Sequence, residues 1–405
     1  MQTDIAVIGA GMVGATLCLA LADSGLDITL VDAGSLTPQP FSAEASFEPR
    51  VSALSAASQR ILQRLNVWPG IVGRRACPYQ HMQVWDGSGT GRVRFSSEDL
   101  GAVRLGHIVE NRWVQDALLE QIEQRERIRC LPHHRLETLE PLAEGWLLRF
   151  ADGHELRCRL LVAADGARSA VRQLRQTETR ERDYLHHATV TSVQREQPHQ
   201  HTAWQRFTDN GPLAFLPLAH PSEQWCSIVW STTPEEANAV MALDDTAFCA
   251  ALERAFEGRL GRVLHADRRL SIPLRQRHAK RYIEPGLALI GDAAHTIHPL
   301  AGQGVNLGFL DAAVLAEVIL HAQQRGEDMG SLQTLSRFER RRMPDNLSMM
   351  AAMQGFERLF QADSLPLRWA RNTGLKWVQR LPAVQGAFVR HALGESGDLP
   401  ELARP

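Results

Sequence analysis

The chain has 405 residues, 44 of them Lys or Arg against 46 Asp or Glu, with 44% hydrophobic and 22% charged residues. This near-neutral, globular composition excludes a disordered chain and offers no overall attraction to nucleic acid. Its six cysteines (Cys18, Cys77, Cys130, Cys158, Cys226, Cys249) stand apart without a CxxC pair, which excludes a dense disulfide framework or paired-cysteine zinc site and fits a reducing cytoplasm.

Residues 3–34 read as strand, glycine turn, helix, strand: DIAVI, GAGMVG, an Ala/Leu-rich helix to Asp23, then DITLVD. No basic residue precedes the apolar stretch and glycine punctuates it, so it is not read as a secretion signal. No uninterrupted apolar run reaches the roughly 18 to 20 residues of a bilayer span. In Gly9-Ala10-Gly11-Met12-Val13-Gly14, Gly9 permits the tight turn, Gly11 lets backbone approach a pyrophosphate, and Gly14 allows close helix packing. The helix start offers free N–H groups to phosphates. Asp32, ending the next strand, is placed for ribose hydroxyls and argues against a 2′-phosphate, so the ligand expected is FAD or NAD.

A helix is expected over 54–65, strands over 82–85 and 92–95, and a second helix over 112–124. Alternating stretches at 136–139, 146–150 and 156–163, broken by turn signals such as Asp152-Gly153, read as a small antiparallel layer returning to the main sheet. The last of them runs into a second candidate segment, 162–172, with Asp165-Gly166 between strand and helix. From 186 to 274 strand patterns dominate, with a helical insert over 234–256.

A third segment follows. LIGDAAH, 289–295, is a buried strand ending in Gly-Asp, and 298–306 is a glycine-bearing loop leading to a helix over 304–322. Glycine there lets backbone approach a flat ring, and Asp292 is placed for a ribityl hydroxyl. A helix start aimed at the ring stabilises negative charge on a reduced flavin. His295 and His298 lack a third ligand of suitable spacing, so no metal is expected there. The chain from 332 onward reads as largely helical.

The expected fold is α/β: a discontinuous Rossmann-like FAD-binding domain (1–75, 98–180 and 280–330), a β-sheet substrate domain (76–97 and 181–279) and a helical C-terminal extension (331–405). Between 364 and 394 there is no Asp or Glu, while Arg368, Arg371, Lys376, Arg380 and Arg390 are present. This reads either as a packed helix with a solvated basic face or as a docking surface for an anionic membrane or an acidic protein.

Together the three segments resemble the group A flavoprotein aromatic hydroxylases, whose GxGxxG, DG and GD motifs match over nearly the whole chain. RVSALSAAS (50–58), HIVENR (107–112), FLPL (215–218), GDAAHTIHPLAGQGVNLGFLDAA (291–313) and MQGF (353–356) are similar to the ubiquinone-biosynthesis branch, and within it to hydroxylases of 2-polyprenylphenols. The resemblance implies an FAD-dependent monooxygenase with O2 as co-substrate, NAD(P)H or a protein electron donor as reductant, and a polyprenylated phenol as substrate. It further implies a cytoplasmic protein peripheral to the inner membrane, with other ubiquinone-biosynthesis proteins or a second copy of the chain as partners.

By the same resemblance Gly9, Gly11, Met12, Val13 and Gly14 hold pyrophosphate, Asp32 the adenosine ribose, and Arg50 and Arg112 the phosphate and ribityl region. Leu136 contacts adenine through its backbone, and Asp165 and Gly166 support the cofactor and a visiting nicotinamide. Asp292, Gly302, Gln303, Gly304, Val305 and Asn306 meet the ribityl chain and flavin ring. Relatives commonly carry Glu where Asp32 stands. Phe215, Pro217, Pro299 and Leu300 are expected at the substrate ring or in ordinary packing. No catalytic acid or base is marked, since none of Tyr79, Tyr184 and Tyr282 sits in a motif. Competing functions are a hydroxylase of another ring position in the same pathway, a flavin dehydrogenase or reductase of isoprenoids, and a flavin-loaded scaffold subunit.

Overall fold

A computed structural model describes residues 1–87, 91–297, 304–361, 394 and 397–405, apart from the side chains of residues 100 and 356–361. The apolar run at the N-terminus forms β1 (Gln2–Ile8), at the centre of the first sheet. It pairs in parallel with β2 (Ile28–Val31) on one side and with Glu155–Ala163 on the other. Strands buried on both faces need side chains that are apolar throughout, which is why they read as continuous Val/Ile/Leu runs.

The helix α1 (Met12–Ala20) is the crossover between β1 and β2. Outward from β2 lies Ile128–Leu131, and outward from Glu155–Ala163 lies the late strand Leu287–Leu289, also parallel. The first sheet is therefore assembled from widely separated stretches of chain. Leu136–Pro141 and Trp146–Phe150 pair antiparallel and join it through Glu155–Ala163, the small returning layer expected from the alternation.

The second sheet is built on the long strand Thr179–Arg195, which pairs antiparallel with Trp225–Thr232 and Leu270–Ala279. Gly211–Pro217, Thr202–Thr208 and the hairpin His81–Asp86/Arg92–Ser96 extend it. One face is covered by Pro234–Ala242 and Asp245–Ala255, two helices where one was expected. The break falls at Asp244, whose side chain caps the second helix by accepting from the Ala247 N–H.

The opposite face meets a three-stranded sheet of β3 (Val51–Leu54), Gly106–Glu110 and Ala76–Tyr79. Phe47, Tyr79 and Ile108 pack there against Leu216 and Leu218 of the large sheet.

The helix Gly304–Gln324 has the length and mean hydropathy of a membrane span, but Asp311 and Glu317 interrupt its apolar run and 78% of its most apolar window is buried within the protein. It is a core helix, packed on α1 and on Leu332–Gln361. The chain end returns to the body through hydrogen bonds from Arg60 Nε to the Ala403 carbonyl (2.8 Å) and from the Glu401 N–H to Glu317 (2.9 Å). The basic stretch singled out between 364 and 394 lies outside the described residues except for Gly394.

Candidate active site

Three neighbouring parallel strands end at one edge of the first sheet, and the three glycine-bearing loops leave from those ends. Their first amides are fixed to the adjacent strand. Gly9 N–H donates to Val31 (2.8 Å), Ala164 N–H to Ile8 (2.8 Å) and Ile290 N–H to Ala163 (3.0 Å). A crevice at the carboxyl ends of parallel strands is where open α/β sheets bind ligands.

Gly9 has φ +103°, and a Cβ there would stand 2.4 Å from the Ala164 carbonyl oxygen, so no other residue lets the first and second loops meet. A Cβ on Gly14 would stand 2.0 Å from the Gly9 carbonyl. Gly11 differs from both: a Cβ there would meet nothing within 4 Å, which leaves the helix start open for a ligand. Met12 and Val13 complete the first turn of α1.

Asp32 uses both oxygens on the backbone around this loop, accepting from Ala10 N–H (2.8 Å) and Gly34 N–H (2.7 Å). Both carboxylate oxygens thus secure the glycine turn. Gln115, which the sequence did not mark, donates to the Ala10 carbonyl (2.9 Å) from the helix Asn111–Ile122. Arg112, one turn earlier, lies 3.7 Å from Glu48 and 3.6 Å from Asp116. Leu136 starts the strand beside this region, where the His134 N–H donates to the Asp32 carbonyl (2.9 Å).

In the second loop Gly166 has φ +78°, and Asp165 Oδ2 accepts from the N–H groups of Ala170 (2.7 Å) and Val171 (3.2 Å). Asp165 Oδ1 is buried with no hydrogen-bond partner among the described residues. Burial raises the Asp165 carboxyl above its ordinary value, against the pull of its hydrogen bonds from Ser169, Val171 and Ala170. Arg172 ties the second loop to the third by donating to Ala167 (2.7 Å) and Ala293 (2.8 Å).

In the third loop burial likewise raises the Asp292 carboxyl, opposed by the charges of His295 and Arg50. Arg50 is exposed at the start of β3 and faces this carboxylate across the crevice. Gly304 and Val305 open the helix Gly304–Gln324. The side-chain amide of Asn306 is held within the protein: it accepts from Ser55 N–H (3.1 Å) and Ser58 Oγ (2.7 Å) and donates to Ala53 (2.8 Å). It locks the helix onto β3. His298, Pro299, Leu300, Gly302 and Gln303 lie outside the described residues.

Behind the Gly291-Asp292 turn sits a buried polar network that the sequence did not reveal. Asp311 Oδ2 accepts from Gly291 N–H (3.0 Å) and lies 2.5 Å from His295 Nε2, while its Oδ1 accepts from Arg342 Nε (2.7 Å) and Asn346 (3.2 Å). Asn346 reaches on to the Tyr282 hydroxyl, which lies 3.0 Å from His278. Burial pushes the Asp311 carboxyl up, but His295 and Arg342 outweigh it and hold it below the usual carboxylate range. Burial pushes Tyr282 well above its ordinary value and Tyr79 up to about 12. The signal available in sequence was Asp311 itself, a carboxylate set between apolar residues of a helix, which needs a buried partner.

The second sheet is also apolar on the face away from its two covering helices. Register aligns Leu270, Val190, Val229 and Ala214 in one row across four strands, with Leu216 two residues along from Ala214. Phe215 points the other way. Its ring is fully buried 3.9 Å from that of Phe256 and under the Arg195 guanidinium, in the core covered by the two helices. Pro217 shares its parity on the strand. Phe215 thus takes the ordinary-packing alternative, while Ala214 and Leu216 lie on the other face of the strand.

A glycine-loop crevice at the carboxyl edge of a parallel sheet, with a second sheet apolar on both faces, is the arrangement of a flavin-dependent aromatic-ring monooxygenase, and comparison with known proteins agrees. Residues 2–350 match the family model described as FAD binding domain. The chain is 37% identical over 97% of its length to 3-demethoxyubiquinol 3-hydroxylase of Escherichia coli, covering 98% of that protein. It is 35% identical to ubiquinone hydroxylase UbiL of Rhodospirillum rubrum, over 99% of this chain and 92% of that one. The fold is shared with p-nitrophenol 4-monooxygenase PnpA from Pseudomonas putida (TM-score 0.78, 18% identity, covering 97% and 98% of the two chains). The chain belongs to the FAD-dependent hydroxylases of ubiquinone biosynthesis.

FAD is its cofactor, and the residues fit that group. Gly11 leaves room at a helix start, Asp165 carries an unpartnered buried oxygen, and the carboxylate of Asp292 takes no hydrogen bond from a described residue. Such hydrogen-bond capacity suits phosphate and polyol hydroxyls.

Proposed function

We propose that the chain hydroxylates the aromatic ring of a polyprenylated phenol, with a 2-polyprenylphenol as substrate. The observation that carries this reading is the apolar row Leu270, Val190, Val229 and Ala214 on the sheet face away from the two covering helices. Such a surface accepts a hydrocarbon tail and a neutral ring and offers an anionic substrate no ion pair. A second reading, a demethoxylated quinol as substrate, is favoured by the name of the 37% identical relative, 3-demethoxyubiquinol 3-hydroxylase.

Bound FAD supplies the electron transfer and oxygen activation. The glycine loop and the α1 start hold its phosphates, Asp32 its ribose, and Asp292, with Arg50 opposite, its ribityl chain. Asp165 supports the turn between them. The apolar sheet holds the phenol ring and excludes water, which keeps reduced cofactor from unproductive oxidation.

Lipid profiling by mass spectrometry in cells lacking the protein tests this. Accumulation of a polyprenylphenol lacking one ring hydroxyl supports the first reading, and accumulation of the demethoxylated quinol the second. An unchanged profile in cells without a redundant hydroxylase overturns both.

The basic stretch over 364–394 supports docking on an anionic membrane that carries the prenylated substrate. Flotation with anionic vesicles, comparing the full chain with one ending at Gln361, tests it. Equal flotation overturns it.

A further inference from the structure

We propose that His134, Asp152 and His154 form a site for a divalent transition-metal cation of the zinc class, at the adenosine end of the crevice. His134 Nε2 lies 3.3 Å from Asp152 Oδ2, and His154 Nδ1 lies 3.2 Å from the same oxygen. Metal bonds of about 2.0 to 2.1 Å in a tetrahedron put neighbouring ligand atoms about 3.3 Å apart, so these two edges already have the required length. The three ligand atoms all fall within 4.8 Å of one another.

The tautomer strengthens the case. His134 Nδ1 stands 2.7 Å from the Pro132 carbonyl, an acceptor, so Nδ1 carries the proton. In the neutral ring Nε2 then aims a lone pair at a carboxylate oxygen. A positive charge between the two, a metal ion or a second ring proton, makes this contact attractive. A histidine that donates one nitrogen to a backbone carbonyl while the other faces an anion is the arrangement found around bound metals.

Asp152 is prepared in the same way. Its Oδ1 accepts from the His154 N–H (3.1 Å) and fixes the turn, which leaves Oδ2 facing both rings. Two imidazoles and one carboxylate select zinc, nickel or copper over magnesium or calcium.

The position gives the site a consequence. The backbone N–H of His134 donates to the Asp32 carbonyl (2.9 Å), so a cation here pins the Asp152 turn to the segment that carries the ribose carboxylate. Metal occupancy therefore slows FAD release.

The test is titration of the chelator-treated, FAD-loaded full chain with ZnSO4, using a chromophoric chelator as competitor. We expect saturable binding of Zn2+, weakened at least about tenfold in both His134→Asn and His154→Asn. Unchanged affinity in either variant overturns the site. So does an absence of saturable binding, the result expected if only a second ring proton bridges His134 and Asp152.

Discussion

Val13 occupies the space that a side chain at Gly308 would need: a Cβ built on Gly308 comes 2.5 Å from Val13 Cγ2. The same valine lies 3.2 Å from a Cβ built on Gly291. The glycine loop, the Gly-Asp turn and the long core helix thus converge on one side chain. Gly308→Ala is expected to destabilise the protein by about 1 to 3 kcal/mol through overpacking. The double variant Val13→Ala/Gly308→Ala recovers most of that, as read from thermal denaturation.

Asp32→Asn retains size but presents an NH2 group to one of the two backbone N–H donors, Ala10 or Gly34. Losing a hydrogen bond to a charged acceptor costs about 1.5 to 3 kcal/mol. Fluorescence titration of the apoprotein should therefore show FAD binding weakened roughly ten- to hundredfold.

Asp311→Asn removes the fully buried one of Arg342's two carboxylate partners and leaves only the part-exposed Asp345, 3.2 Å away. Breaking a buried pair in this way costs about 3 to 5 kcal/mol. Denaturant unfolding measures it, and Asp292→Asn, at the crevice, serves as the comparison that lowers FAD content with a much smaller loss of stability.

His107 shows how pH acts on the fold. Burial, with Arg104 donating to its Nε2 at 3.0 Å, brings its value down from 6.5 to about 4. Between those values the unfolded chain binds a proton that the folded chain refuses. The stability this group gives is fully present above pH 6.5 and is lost as pH falls through about 4. His278, lowered to about 4 by burial and by His295, acts in the same window. The fall in Tm between pH 7 and the folded-state value of about 4 is expected to be shallower in His107→Gln than in the parent chain.

Neighbouring residues of one strand should give opposite phenotypes. Ala214→Phe obstructs the apolar row and is expected to lower kcat/KM for a prenylated phenol at least about tenfold with FAD content unchanged. Phe215→Ala empties a filled core site and should cost about 3 to 5 kcal/mol of stability. Steady-state kinetics beside thermal denaturation separates the two.

The three loops were legible because each is a local event, an apolar strand ended by glycine, and local chemistry is written contiguously. The helices over 56–64, 111–122 and 304–324 were legible for the same reason. The network around Asp311 was not, since His278, Tyr282, His295 and the helix pair Arg342 and Asn346 reach it from segments far apart in sequence, and the motif that holds His295 does not show its partner. Phe215 illustrates a different limit. Alternation shows that it and Leu216 face opposite sides, but which side faces the cofactor depends on where the two covering helices settle. The strands Val51–Leu54 and Gly106–Glu110 were met only as stretches similar to a family, because their pairing is between distant segments.

The bond from Ser55 N–H to Asn306 spans 251 positions of sequence, and the strand Leu287–Leu289 completes a sheet whose centre is laid down by residues 2–8. During synthesis the amino-terminal segments wait, with apolar strand edges uncovered, until the third loop and its helix have left the ribosome. Cofactor capture is therefore a late step. Chains that stop before residue 287 leave the edge of Glu155–Ala163 uncovered and are expected to aggregate instead of forming a partial enzyme.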